Sequence, residues 1–248
     1  MSAHEHRTYR VWDAPTRWFH WINALSVLGL VGVGLVILFN KDLGFSLDGK
    51  IMLKMILVII GYVFVHNLLW RIVWGICGNR YARWGAHFPG GLGYLQAVRA
   101  YAAAFMEGHP RTYVGHNPLG RLSVTVIFLL LIALAASGLV RAGNDLYYPP
   151  LSGFAATFVV KSGADPGDLV PEDTTLVDAG GYDSLEAFRW PFGVVHKWLA
   201  YLLMEMILLH IAAVVVTELR DGGGLVSAMF TGRKVLAGKV VDDVDEGR

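Results

Sequence analysis

The sequence predicts an all-α integral membrane four-helix bundle with one surface helix in a loop, and three observations predict it. Of 248 residues, 54% are hydrophobic and 17% charged, and the mean hydropathy is +0.47, above the range of ordinary soluble domains. Four apolar stretches reach the about 20 residues that cross a hydrocarbon layer of about 30 Å. Three of the four carry histidines: His20 in the first, His66 in the second, and His196 and His210 in the fourth. The first two observations argue against a soluble enzyme. The single cysteine, Cys77, excludes an internal disulfide, a thiolate zinc site and an iron–sulfur cluster. A net charge of +1 gives no polyanion signal, so no nucleic-acid partner is expected.

The first span is read over 18–39; its length and the lack of a small-residue cleavage site argue for a retained anchor rather than a signal peptide. The second covers 51–74, interrupted by Lys54, His66 and Arg71, the third 119–140, and the fourth 192–219 with His196, Lys197, Glu205 and His210 inside it. The whole, 1–248, is read as one membrane domain. Four spans put both termini on one side. Fourteen of the 21 Lys and Arg residues fall in the N-terminal segment, the middle loop with its flanking span ends, and the tail, and this bias predicts that those segments are cytoplasmic. Trp18, Trp21, Trp70, Trp74, Trp190 and Trp198 sit at span ends, where interfacial anchoring accounts for them.

Within the cytoplasmic loop 75–118, the segment Gly91 to Gly108 repeats Leu92, Leu95, Val98, Ala102, Phe105 and Met106 at helical spacing. It predicts a short helix, either on the membrane surface or packed on the ends of the bundle. The external loop 141–189 is acidic and broken by Pro149, Pro150, Pro166 and Pro171. It reads as a structured connection rather than a fifth span, with a docking surface for a redox partner as its functional alternative.

Ionisable groups inside a membrane are costly and face a bundle interior or a cofactor. His20, His66, His196 and His210 need a shared explanation, and b-type haem provides one, because two neutral imidazoles on facing helices hold the iron. No Cys-x-x-Cys-His is present, which excludes covalent attachment. His196 and His210 are 14 residues apart, so they project within about 40° of each other and are separated by about 21 Å along one helix. That spacing offers one ligand near each face of the membrane. His20, three residues after Arg17, shares the inner depth with His210. The position on the second span that matches the depth of His196 is Leu57, which cannot ligate iron. His66 lies nine residues further on, turned to the opposite side of the helix. Lys54 and Met55 are nearer candidates. One haem therefore follows from the sequence, while a second lacks an evident partner ligand.

The run from Trp12 to Trp21, the Gly61-Tyr62 step, Arg71-Ile72-Val73-Trp74-Gly75, Gly78 to Arg83, Gly115-His116-Asn117-Pro118 and the His196/His210 pair resemble the bacterial cytochrome b561 and nickel–iron hydrogenase b-type cytochrome subunit family. The resemblance covers nearly the whole chain. It implies a four-helix haem subunit exchanging electrons between quinone and a periplasmic partner, with His20 and His210 as inner-haem ligands and His196 as an outer one. The family's second-span histidine slot is Leu57 here, so His66 is either a replacement ligand or a structural residue.

A quinone site needs a polar group that can hydrogen-bond a carbonyl and exchange protons near a haem edge. His116 and Asn117 meet that need, although Asn117 and Pro118 also suit the start of a helix. The function expected is an electron-transfer subunit of an oxidoreductase complex, embedded in membrane lipid. It would pass electrons between the quinone pool and a periplasmic hydrogenase, dehydrogenase or c-type cytochrome. A stand-alone quinone oxidoreductase and a haem-free anchor with a proton relay are the alternatives.

Overall fold

The computed structural model describes residues 6–108, 111–221, 224–237 and 240–242. In chain order these form β1 (His6–Arg10), α1 (Ala14–Leu38), α2 (Leu47–Cys77), α3 (Trp84–His87), α4 (Tyr94–Met106), α5 (Pro118–Leu146), α6 (Ser152–Val159), α7 (Ala179–Asp221), α8 (Leu225–Thr231) and β2 (Arg233–Ala237). Four helices are long and apolar enough to cross a membrane: α1, α2, α5 and α7. They are the four expected from the sequence, and α4 is the expected loop helix.

The helix ends differ from the hydropathy boundaries because polar side chains build them. Asp13 starts α1 four residues before the expected edge, its carboxylate accepting the Thr16 N–H at 3.0 Å. Asn117 starts α5 by accepting the Gly120 N–H at 2.7 Å. Asp178 starts α7 well ahead of residue 192 by accepting the Gly181 N–H at 2.7 Å. The added turns of α7 carry Asp183, Glu186 and Arg189 among apolar residues, and they stay helical through Pro191. Arg189 pairs there with Glu186 and, at 3.1 Å, with Asp145 of α5.

The chain divides into two compact units. The first comprises Met1–Ile22, Asn67–Leu129 and Glu205–Arg248, and the second Asn23–His66 and Leu130–Met204. In the first, β1 and β2 pair antiparallel, with Thr8 opposite Val235. This small sheet was not expected from the sequence. Its core joins Val11, Trp12, Val114, Ala228, Leu236 and Val240. Gly232 closes α8 at φ +79°, and a Cβ there would come within 2.4 Å of the Trp12 carbonyl oxygen, so both conformation and space demand glycine. Asp13 also accepts the Trp74 indole N–H at 3.1 Å, and Asn79 donates to the Val11 carbonyl at 3.0 Å, tying the start of α1 to the end of α2.

In the second unit, the connection between α5 and α7 packs with the start of α7 into a core of its own: Ala155, Ala156, Val159, Leu169 and Val177 with Leu185 of α7. Lys54 of α2 donates to Glu172 of that loop at 2.9 Å, which holds the Glu172 carboxyl below its ordinary pKa. Tyr62 donates to the Pro149 carbonyl at 2.6 Å.

Candidate functional site

Two histidines expected as partners occur together in the first unit. His20 of α1 and His210 of α7 are half-buried and close enough to act on one another electrostatically. The Nδ1 atom of His20 is buried without a hydrogen-bond partner, as is the Thr16 hydroxyl one turn before it. Among the described residues no three His, Cys, Asp or Glu side chains converge to hold a metal ion. Two imidazoles alone make a poor cage for a bare divalent ion. They suit an iron whose equatorial positions are already filled by a porphyrin.

His196 lies in the second unit, where one of its two ring nitrogens has a hydrogen-bond partner. Its Nδ1 is 2.9 Å from Ser137 Oγ on α5, and the Ser137 hydroxyl donates to the Ala133 carbonyl at 2.8 Å. A hydroxyl has one proton to give. Ser137 therefore accepts from His196, placing the imidazole proton on Nδ1 and leaving the Nε2 lone pair for a metal. Gly138 provides the room, since a Cβ there would stand 3.3 Å from His196 Cε1.

The histidine of the second span is His66. His66 is exposed on a stripe of α2 that includes Met52, Met55, Ile59 and Val63, and its Nδ1 is held 2.7 Å from the Tyr62 carbonyl one turn back. Phe64, on the other side of the helix from His66, is buried. His66, read from the sequence as either a replacement ligand or a structural residue, has its side chain exposed. Lys54, considered from the sequence as a substitute ligand, is engaged with Glu172, and Met55 is exposed.

His116 and Asn117 stand immediately before α5. Asn117 is occupied on both sides of its amide: Oδ1 caps α5, and Nδ2 donates to the Tyr101 hydroxyl at 2.7 Å. His116 packs between the rings of Trp12 and His87, each centroid 4.9 Å away. It is also close enough to His210 to feel its charge. Burial, then the charges of His87, Lys234, His210 and Arg71, push its pKa well below the ordinary histidine value, so it is a neutral imidazole at physiological pH.

The loop carrying His116 is gripped from both sides. Lys234 donates to the Val114 and Gly115 carbonyls at 2.8 and 3.1 Å, while Asp242 accepts the N–H groups of the same two residues at 2.6 and 2.9 Å. Burial lowers the Lys234 pKa to about 8, against the opposing pull of Asp242 and Glu218.

Two residues at this end carry chemistry that sequence reading did not assign. His87 is buried, donates from Nδ1 to the Arg83 carbonyl at 3.1 Å, and presents Nε2 to Arg71 Nη2 at 3.2 Å. Burial holds its pKa at about 4; the Arg83 hydrogen bond opposes this, and the charges of Arg71 and Arg121 add to it. Arg71 is 3% exposed, although its place near the end of an apolar run reads as a surface charge. The available signal was its offset of three residues from Trp74, a residue type that anchors span ends.

A family model described as prokaryotic cytochrome b561 matches residues 11–232. A probable Ni/Fe-hydrogenase B-type cytochrome subunit of Bradyrhizobium diazoefficiens is 26% identical over 247 residues, covering 92% of this chain and 86% of the relative. The protein of the same description from Rhizobium leguminosarum bv. viciae is 26% identical over 260 residues, covering 94% and 92%. A probable Ni/Fe-hydrogenase 1 B-type cytochrome subunit of Escherichia coli (strain K12) is 29% identical over 145 residues, covering 53% and 59%.

Proposed function

This chain belongs to the prokaryotic cytochrome b561 family, a family of multi-pass membrane cytochromes with b-type haem that transfer electrons, and we propose that it is the electron-transfer subunit of a hydrogenase-type complex. In this reading it links a periplasmic redox partner to the quinone pool of the bacterial inner membrane, with both termini cytoplasmic. The observation that carries the reading is the His20/His210 pair, two imidazoles close enough to act on one another electrostatically, with no third metal donor beside them among the described residues. The relatives described as hydrogenase cytochrome subunits, matched over most of both chains, support the choice of partner.

Haem b would be held on the cytoplasmic side by His20 and His210, where it supplies a one-electron iron couple. A second haem would be held by His196, with no histidine offered from α2, where Leu57 occupies the matching depth and His66 is exposed. Ser137 and Gly138 hold the His196 ring in the ligating tautomer. His116 is the hydrogen-bonding and proton-exchanging group for quinone, next to the His210 end of the inner pair, and Asn117 fixes the loop that carries it. Neutral imidazole is the form that can take a proton from a bound quinol or donate an N–H hydrogen bond to a quinone carbonyl.

Purification from haem-replete cells tests the reading. The expected preparation is coloured, reducible by quinol, and carries a low-spin bis-histidine signal together with a second signal that is high-spin or shifted. A colourless protein sinks the haem assignment. Two equal bis-histidine haems would show that α2 does supply a ligand.

A further inference from the structure

Arg71 is a buried cation without a counter-ion. Its side chain is 3% exposed, and among the described residues no carboxylate lies within ion-pair distance of it. The carboxylate that acts on it through space, Asp13, spends its oxygens on the Thr16 N–H, the Trp74 indole and the Asn79 N–H. One end of the guanidinium is fixed: Nη2 donates to the Ala82 carbonyl at 2.9 Å and to His87 Nε2 at 3.2 Å, and the Trp84 ring lies 4.7 Å from Cζ. The other end, Nη1, is buried and has no partner.

Burying an unpaired charge is expensive, and a fold keeps one where a bound group of opposite sign completes it. The neighbours deepen the need. His87 and His116 are neutral, and Arg121 adds a second positive charge acting on His87. The position of Arg71 identifies the guest. Cζ lies 5.8 Å from the ring of Phe19, the residue before His20, and Asn67, one turn before Arg71 on α2, donates to the Phe19 carbonyl at 3.0 Å. The free guanidinium end thus belongs to the same small region of the first unit as the inner histidine pair. A porphyrin held there brings its own anions, two propionate carboxylates, and a fork of N–H donors matches a carboxylate.

We propose that Arg71 is the propionate site of the inner haem, taking a propionate carboxylate on Nη1 while His87 holds Nη2 in place. The proposal rests on the His20/His210 haem reading and goes beyond it. It makes Arg71 a determinant of haem affinity and orientation, and His87 a positioning residue.

The test titrates the haem-free full-length chain with haem b and with haem b dimethyl ester, in wild type, Arg71→Gln and Arg71→Lys. Wild type is expected to bind the free acid about tenfold or more tightly than the diester. Arg71→Gln is expected to lose the preference, and Arg71→Lys to keep part of it. Equal affinity of wild type for the two haems, or an undiminished preference in Arg71→Gln, overturns the proposal. So does a variant whose only change is slower quinol oxidation, which would place Arg71 on a quinone oxygen. If Arg71→Gln does not accumulate, the wild-type comparison and the weakened preference of Arg71→Lys decide the matter. A wild type that binds neither haem defeats the haem reading itself, a distinguishable result.

Discussion

Replacing Ser137 by alanine deletes one oxygen from the support of His196 and leaves the ring's surroundings otherwise intact. In the native protein the hydroxyl accepts from Nδ1 at 2.9 Å and passes its own proton to the Ala133 carbonyl at 2.8 Å. Without it, the Nδ1–H is buried and unpaired, at a cost of about 1–3 kcal/mol. The imidazole also becomes a weaker electron donor, which disfavours ferric more than ferrous iron. If about 0.5–1.5 kcal/mol of the bond is specific to the oxidised state, the midpoint potential rises by roughly 20–65 mV, since a tenfold change in a one-electron couple is about 59 mV. A redox titration followed in the haem absorption bands, with spin resonance on the same samples, measures it. Ser137→Thr keeps the hydroxyl and should stay near wild type. Refutation would come from a second haem whose potential and spectrum are identical in wild type and Ser137→Ala, or from a wild type that holds only the His20/His210 haem.

Four other outcomes are expected. His20→Ala or His210→Ala should abolish the low-spin bis-histidine signal, whereas His66→Ala should leave haem content unchanged; haem-to-protein ratios check both. His116→Ala should slow quinol exchange several-fold with haem retained, while Asn117→Ala should also lower stability by about 1 kcal/mol because it removes the α5 cap, a difference that melting curves and stopped-flow kinetics separate. His87 titrates near 4 folded and near 6.5 unfolded, so the unfolded chain binds more protons between those values, and stability should fall by on the order of 2–3 kcal/mol as pH drops from 6.5 to 4. His87→Gln should flatten that slope in melting curves run across the window. Protease added to intact spheroplasts should cut within 141–189 and spare 75–118; the reverse pattern would overturn the assigned orientation.

The four spans were legible because uninterrupted hydropathy is a strong signal, and the helix ends were not because side-chain caps and ion pairs set them. Hydropathy cannot see that Asp178 caps α7, or that Arg189 is neutralised by Asp145 and Glu186. The motif residues Asp13, Trp74 and Asn79 stood out in the sequence, but only coordinates show that they latch α1 to α2. The two-stranded sheet escaped notice because its strands lie at opposite ends of the chain, and nothing local in either segment names the other.

The histidines show where sequence geometry succeeds and where it stops. Counting residues along α2 turned His66 away from the depth-matched position, and the structure has it exposed on the stripe with Met52, Ile59 and Val63, because a helix's phase follows from residue number alone. Counting could not reveal His87, which lies in a loop helix of four residues where no phase accumulates. Its role comes from one hydrogen bond across 16 residues to Arg71. Nor could counting distinguish Arg71 from a charge that marks the end of a span. A terminal arginine snorkels to water, whereas this one is enclosed by Phe19, Trp84 and His87. The histidines proposed to hold iron were therefore readable from their spacing. Residues that answer a cofactor's carboxylate, or hold the loop beside it, depend on which side chains the fold brings together.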